Sequence, residues 1–148
     1  MDKTAIHSAL LLILEEKCLL LKKELSEILD ATANESKSTV GDKHETGRAM
    51  AQLEQEKLSK QLADLERVKL FLFQINPGIK CTRVVSGSLV ETKLGWYYIS
   101  AGFGLIQQED KHIFTLNLQA PLGKLMAGKQ EGDVFEWNSQ QLEILKIY

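Results

Sequence analysis

The sequence predicts an α+β fold in which two antiparallel helices precede a small antiparallel β domain with one short helix. Two long segments carry apolar residues at helical spacing, and a polar stretch separates them. The motif Asn76-Pro77-Gly78 ends the second segment, because proline cannot continue a helix. Beyond it, short runs of alternating apolar residues indicate strands. We therefore expect two domains, at residues 1–76 and 79–148.

The first helical segment runs from about Thr4 to Ala31. Charged residues fill the positions between its apolar residues, and neither Gly nor Pro interrupts it. The apolar seam repeats at spacings of three and four and consists of Leu11, Leu14, Cys18, Leu21, Leu25 and Ile28. Residues 30–42 are rich in Asn, Ser, Thr and Gly, and they predict a loop.

The second helical segment begins near Asp42 and ends at about Phe73. Its seam consists of Ala51, Leu58, Leu62, Leu65, Val68 and Leu72. Each seam is too narrow for a globular core but has the width that one partner helix requires. Two such helices joined by a short polar loop predict an antiparallel coiled-coil hairpin, whose polar tip lies away from both chain ends.

Five runs predict the strands of the second domain, at residues 82–91, 95–104, 112–118, 133–138 and 141–148. Turn residues separate neighbouring runs, for example at 107–110 and 138–141. Between the third and fourth runs, one short helix is expected to open at Pro121 and to close at Gly128. These runs together predict a small twisted antiparallel sheet.

The composition is that of an ordinary globular protein, with 44% hydrophobic and 26% charged residues and a net charge of −2. Since the chain has no overall basic field, nucleic-acid contact would have to be local or come through a partner. The two cysteines, Cys18 and Cys81, form no CxxC motif, which predicts free thiols in a reducing compartment. We find neither a signal peptide nor a membrane-spanning stretch, and we expect a cytoplasmic protein.

A candidate site lies in the predicted tip, TVGDKHETGRAM, at residues 39–50. After Gly41, it places the carboxylates of Asp42 and Glu45 three residues apart. An Asp at the N-cap with a Glu three residues later makes a capping box, which is the commoner meaning of this spacing. The alternative is a metal site, because Mg²⁺ takes carboxylate oxygens. Both interpretations can hold together, since a capping Asp is rigidly presented at a helix start.

The neighbouring polar residues of the tip have two interpretations each. His44 is interpreted as a solvated surface residue, with a metal ligand or proton shuttle as the alternative. Lys43 and Arg48 are also interpreted as solvated, with contact to nucleic-acid phosphate or to acidic groups of a partner as the alternative.

The second domain is rich in aromatic residues, which are Trp96, Tyr97, Tyr98, Phe103, Phe114, Phe135 and Trp137. Their alternation along the strands predicts that some fill the core and others face outward. Core packing is the favoured interpretation of this cluster, and a prolyl isomerase pocket is the alternative.

Three stretches resemble the bacterial Gre transcript-cleavage factors. The stretch VVSGSLV, residues 84–90, is similar to the strand that opens the β domain of that family. Gly41, Asp42 and Glu45 match the Gly-Asp-x-x-Glu core of its tip motif. The most specific match lies in APLGKLMAGKQEGDVFEW, where the spacings of the family's C-terminal signature are met by Pro121, Leu122, Gly123, Gly128, Lys129, Gly132 and Asp133.

The chain departs from the family's pattern at the tip and at one signature position. Lys43-His44 stand where the family usually has Leu-Ser, and Thr46-Gly47-Arg48-Ala49 stand where it usually has Asn-Ala-Glu-Tyr. Ala120 stands where the signature usually begins with Ser.

The resemblance implies a long coiled-coil hairpin followed by a β domain like that of the FK506-binding proteins. It implies a transcription elongation factor that binds RNA polymerase and promotes rescue of backtracked complexes by stimulating transcript cleavage. By position, Asp42 would recruit a Mg²⁺ ion shared with the polymerase. Glu45 would be the second acid, which binds that ion or orients the attacking water. The chain would then be no enzyme by itself and would have no cofactor of its own.

The same resemblance implies that the partner is RNA polymerase. Nascent RNA, at its 3′ end, and DNA would be met only through the elongation complex, and we expect a monomer that binds no membrane. A first rival hypothesis keeps the scaffold but makes the protein a channel-binding regulator without cleavage activity. A second is an FKBP-like prolyl isomerase, and a third is a coiled-coil interaction module.

Overall fold

The computed structural model describes the backbone of residues 1–35 and 42–148, and the side chains of residues 1–34 and 45–148. Two long helices precede a six-stranded sheet with one short helix, which confirms the predicted α+β class. The helices are α1 (Lys3–Glu35), α2 (Asp42–Phe73) and α3 (Pro121–Met126). The strands are β1 (Leu89–Thr92), β2 (Gly95–Ile99), β3 (Gly104–Gln108), β4 (Lys111–Leu116), β5 (Val134–Trp137) and β6 (Gln140–Ile147).

The described residues cluster into two compact units. The helical unit is Leu12–Lys69, and the sheet unit combines Met1–Leu11 with Leu70–Tyr148. These units do not coincide with the expected domains at 1–76 and 79–148, because the first residues of α1 and the last residues of α2 cluster with the sheet.

The helical unit is held by the predicted seam. Leu14 and Cys18 are fully buried on α1, and Leu58 is nearly so on α2. Other seam positions are half-buried, namely Leu21, Leu25, Leu62 and Leu65. The seam therefore has the narrow form expected of a pair of helices.

Ion pairs between the helices give their relative direction. On α1, Glu15 contacts Lys69 of α2, and Lys22 contacts Glu66 at 3.4 Å. The later residue of α1 contacts the earlier residue of α2, so the two helices run antiparallel, as predicted.

Helix α1 is longer than predicted at its carboxyl end. It continues past Ala31 to Glu35, so the predicted loop is helical over residues 30–35. Ala has the highest helix propensity, and the hydroxyl of Thr32 donates to the carbonyl oxygen of Ile28 at 2.8 Å, which keeps this polar side chain within the helix. The remainder of the predicted loop, residues 36–41, lies outside the described residues.

The sheet has the strand order β3-β4-β2-β1-β6-β5. Neighbouring strands are antiparallel except β2 and β4, which run parallel, with Trp96 opposite Ile113 and Ile99 opposite Leu116. The prediction of a wholly antiparallel sheet is corrected at this pair. Strand β3 follows β2 in the chain but lies on the far side of β4. The chain therefore turns from β3 into β4, which runs in the same direction as β2.

Strand β3 was missed by the sequence prediction, which assigned residues 107–110 to a turn. The strand begins at Gly104, whose φ of +127° favours glycine. Gln107 and Gln108 pair with β4, and the turn is only two residues long, with φ of +53° at Glu109. Two glutamines at the edge of a sheet carry little apolar signal, which explains the error.

A buried apolar cluster of the sheet unit lies between α3 and one face of the sheet. Leu122 and Met126 of α3 pack there with strand residues on alternate positions. The buried cluster consists of Val84, Val90, Tyr97, Ile99, Leu122, Met126, Phe135, Leu142, Ile144 and Ile147.

Candidate functional site

The predicted acid pair lies at the start of α2. The helix begins at Asp42, as predicted, and Glu45 is exposed within the same helical turn. Gly41 lies outside the described residues, as do the side chains of Asp42, Lys43 and His44. The capping and metal interpretations of Asp42 therefore both stay predictions.

The start of a helix favours negatively charged side chains, and carboxylates placed there can in turn hold a cation. The amino end of a helix carries a partial positive charge that stabilises carboxylates nearby. The exposed carboxylate of Glu45 is a hard oxygen donor of the kind that Mg²⁺ prefers. Among the side chains that the structure describes, no group of three or more His, Cys, Asp and Glu could hold a metal ion.

A polar groove of about 590 Å³ lies within the helical unit. One of its walls comes from Thr32 on α1 and the other from α2, with Arg48, Gln52, Gln55, Glu56 and Ser59. The amide of Gln52 donates to the carboxylate of Glu56 at 3.2 Å. Arg48 is exposed beside this groove, so its guanidinium can meet an anionic partner, as its alternative interpretation requires.

The C-terminal signature builds the backbone around α3. A Cβ atom on Gly123 would lie 2.1 Å from the carbonyl oxygen of Asn117, so only glycine fits. At the N-cap position, Ala120 makes no side-chain cap. Instead Asn117 organises the turn, since its carbonyl accepts from Ala120 N at 3.0 Å and its side chain accepts from Gln119 N at 2.8 Å.

The second half of the signature makes backbone hydrogen bonds to two other segments of the sheet unit. Val84 N donates to the carbonyl of Lys129 at 2.9 Å, and Gly132 N donates to the carbonyl of Ile144 at 2.8 Å. The carboxylate of Asp133 accepts from Gln130 N at 2.7 Å and closes the turn between them. These signature residues therefore act in the fold, and the spacing match has a physical reason.

The aromatic residues divide as predicted between core and surface. Tyr97 and Phe135 belong to the buried cluster, and Tyr98 is fully buried. Phe114 is 43% exposed and stacks on Tyr97, with ring centroids 5.6 Å apart. Core packing thus accounts for the buried members of the group.

A buried histidine–tyrosine pair joins α1 to β2 and was not predicted. His7 Nδ1 lies 2.6 Å from the hydroxyl oxygen of Tyr98, and His7 is only 6% exposed. Burial lowers the pKa of His7 and raises the pKa of the Tyr98 hydroxyl. The tautomer of His7 sets the direction of this hydrogen bond: with the ring proton on Nε2 the phenol donates to Nδ1, and with the proton on Nδ1 the phenol oxygen accepts.

A buried lysine was also missed, because the predicted helix began one residue after it. The ammonium of Lys3 donates to the carbonyl oxygens of Ile79 at 2.6 Å and Tyr148 at 3.0 Å, and it contacts Cys81 Sγ at 3.6 Å. Asp2 accepts from Thr4 N at 2.8 Å and caps the helix that presents this lysine. Partners 76 to 145 residues away give no local sequence signal.

No helix in the described ranges is long and apolar enough to cross a membrane. Neither a protein-family model nor a curated protein matches the chain. Similar solved structures include the crystal structure of Thermus aquaticus Gfh1, with 16% identity over 91% of this chain and 91% of that chain and a TM-score of 0.36. A structure of the transcription factor Gfh1 is 15% identical over 93% of this chain and 92% of that chain, with a TM-score of 0.35.

Proposed function

We propose that this chain is a cytoplasmic transcription elongation factor of the Gre type, which binds RNA polymerase and stimulates transcript cleavage in backtracked complexes. The observation that carries the proposal is the position of the acid pair. Asp42 begins α2 and Glu45 follows within one turn, beside the segment that joins two antiparallel helices. The backbone roles of Gly123 and Gly132 support it, because they give the signature spacing a structural purpose.

On this proposal the chain supplies position and charge, and the polymerase supplies the rest of the catalytic site. Asp42 and Glu45 would hold a Mg²⁺ ion jointly with polymerase residues, since two carboxylates on an exposed tip are a weak site alone. Such an ion, when bound, stabilises the attacking and leaving oxygens of phosphodiester hydrolysis. The helix start fixes the backbone of both acids, and Glu45 would also orient the attacking water.

A second candidate function is favoured by the cations beside the acid pair. Lys43 adjoins Asp42, and Arg48 lies three residues after Glu45 on the same helix, a spacing at which side chains meet. Their positive charges would compete with a metal ion for the two carboxylates. The protein would then bind the polymerase channel as a regulator without supporting cleavage.

The two candidates separate in one assay. A backtracked elongation complex is assembled with bacterial RNA polymerase, the protein and Mg²⁺ are added, and RNA shortening is followed. We expect accelerated shortening, and Asp42→Ala or Glu45→Ala should reduce the stimulation by at least about tenfold, as expected for loss of a metal-binding carboxylate.

A matched control is Asp64→Ala, which removes an exposed α2 carboxylate whose ion pair with Arg67, at 3.1 Å, is also exposed. It should leave cleavage unchanged. Polymerase binding without cleavage would favour the regulator, and absence of binding would exclude both candidates. Isomerisation of a proline peptide would instead support the prolyl isomerase hypothesis.

A further inference from the structure

Four side chains of the sheet unit form a continuous row of cations and aromatic rings, in the order Lys111, Trp96, Tyr148 and Lys146. The rings of Trp96 and Tyr148 have centroids 5.7 Å apart and planes tilted by 35°. The ammonium of Lys111 lies 4.4 Å from the centroid of Trp96, and that of Lys146 lies 5.2 Å from the centroid of Tyr148. We call these four residues the Lys–Trp–Tyr–Lys row.

Strand register places the row on one face of the sheet. Glu91 of β1 is opposite Trp96 on one side and Lys146 on the other, so the three side chains share a face. Trp96 is also opposite Ile113 of β4, and Lys111 precedes Ile113 by two residues, which brings it to the same face. Residues from three different strands and the last residue of the sequence are therefore gathered only by folding.

The row is anchored and accessible at once. Trp96 and Tyr148 are half-buried, so the sheet holds the rings while part of each stays at the surface. Lys111 and Lys146 are exposed, and an exposed cation–π contact is worth only about 0.5–1 kcal/mol. Each lysine can therefore leave its ring at small cost and expose the ring face to another planar group.

We propose that the Lys–Trp–Tyr–Lys row binds single-stranded nucleic acid, with bases stacked on Trp96 and Tyr148 and phosphates near the two lysines. Sites for single strands combine aromatic faces with flanking cations in this way, and every base has a face that can stack. The chain's net charge of −2 offers no general attraction for phosphate, so binding depends on this local row. The inference goes beyond the proposed function, since it requires no polymerase.

Glu91 places a negative charge beside the row. It lies between Trp96 and Lys146 on the same face, so its negative charge opposes the approach of phosphate. An acidic peptide would be held by the lysines alone and would not need the contact between the rings. The continuous ring pair therefore favours a nucleic acid over an acidic peptide.

The test uses the full chain with Trp137→Phe, which leaves Trp96 as the single tryptophan. A labelled oligouridylate of about ten nucleotides, long enough for one such site, is titrated at about 50 mM salt. We expect a rise in anisotropy together with quenching of Trp96 fluorescence. Trp96→Leu should weaken binding about tenfold, and Trp96→Phe, which keeps a ring, should retain most of it.

The charged variants test the remaining part of the row. Lys111→Gln with Lys146→Gln should weaken binding about tenfold and reduce the slope of log K against log salt by about 1.4. Glu91→Gln should strengthen binding roughly threefold, since one opposing charge is removed. The matched control, Lys60→Gln with Lys124→Gln, changes the net charge equally at two other exposed lysines and should have little effect.

Several results would overturn the proposal. These are no binding at about 50 mM salt, equal losses in the row and control variants, or saturation without quenching of Trp96. Competition by a polyglutamate peptide as effective as that by unlabelled oligouridylate would point to a protein partner instead. Circular dichroism and thermal unfolding of each variant confirm that the fold persists, and the assay contains no polymerase, so its outcome is independent of transcript cleavage.

Discussion

The helical unit and the sheet unit bury their apolar residues in different ways. In the sheet unit, ten buried residues form one cluster between α3 and a sheet face. In the helical unit, Leu14, Cys18 and Leu58 are the buried hydrophobic residues among the described side chains, and the rest of the seam is half-buried. Loss of one side chain should therefore disturb many neighbours in the sheet unit and few in the helical unit.

The helical unit also leaves large apolar side chains at the surface. Leu12, Leu19 and Leu53 are 61%, 57% and 66% exposed. Helices satisfy their backbone hydrogen bonds within themselves, so two of them need only a narrow seam. A sheet unit depends on backbone hydrogen bonds and side-chain packing between segments that are distant in sequence. Substitution of its glycines and core residues should therefore be more destabilising.

The largest expected effect is that of Gly123→Ala in the sheet unit. Its new Cβ would meet the backbone of Asn117 and Leu118 at 2.1 and 2.8 Å, so α3 or the preceding turn has to move. We expect a loss of about 3–5 kcal/mol in the free energy of unfolding, at the upper end for single substitutions. Urea unfolding followed by circular dichroism measures it.

Gly102→Ala is the matched control, because its Cβ would lie 3.7 Å from the nearest atom, which is ordinary contact. It should change the free energy of unfolding by no more than about 0.5 kcal/mol. Similar costs for the two variants would contradict the close packing of α3 against residues 117–118.

A core substitution tests the comparison between the units directly. Ile144→Ala empties a fully buried position in the sheet unit and should lower the free energy of unfolding by about 3 kcal/mol. Leu65→Ala removes a half-buried seam residue from the helical unit and should cost about 1 kcal/mol. Urea unfolding of both variants gives the difference, and equal costs would show that the seam is packed as tightly as the core.

The division of the molecule into helices and strands was predictable because it rests on local periodicity. The seam through Leu14, Cys18 and Leu58 follows from spacings of three and four, and helix α3 follows from Pro121 at its first position. The signature spacing likewise marked Gly123, whose role the structure explains through its contact with residue 117.

Features that depend on which segments meet were not predictable from the pattern. Alternation gives the faces of β2 and β4 but not their parallel direction, which depends on where β3 lies. The pairing of His7 with Tyr98 joins residues 91 positions apart. The partners of Lys3 are backbone carbonyl oxygens. Because every residue carries one, the residue types in the sequence do not indicate which of them Lys3 contacts.

At the candidate site, the acid pair and its helix start came from the sequence. The start of α2 at Asp42 agrees with the predicted start of the second helical segment. The role of the pair stays a prediction, because metal binding at a tip depends on ligands from a partner. The Lys–Trp–Tyr–Lys row could not be found in advance, since its members come from three separate segments, at residues 96, 111 and 146–148.

The smallest expected effect is a pH dependence that arises in the sheet unit. Burial holds the pKa of His7 below its ordinary value of 6.5 in the folded state, so the unfolded chain takes up this proton first. His7 therefore adds full stability above pH 6.5, and the free energy of unfolding falls as the pH drops from 6.5 towards the folded-state pKa. Urea unfolding at a series of pH values between about 5 and 8 measures the slope.

Two variants separate the cause of this slope. His7→Gln should abolish its part of the slope, whereas Tyr98→Phe should keep it, because the imidazole remains buried, while lowering stability by about 1–2 kcal/mol for the lost hydrogen bond. In the helical unit, the hydrogen bond from Lys69 holds the pKa of Glu15 below its ordinary 4.5, so its contribution is lost only in more acidic solution. A slope near pH 6 that survives His7→Gln would place the titrating group elsewhere and remove this distinction between the two units.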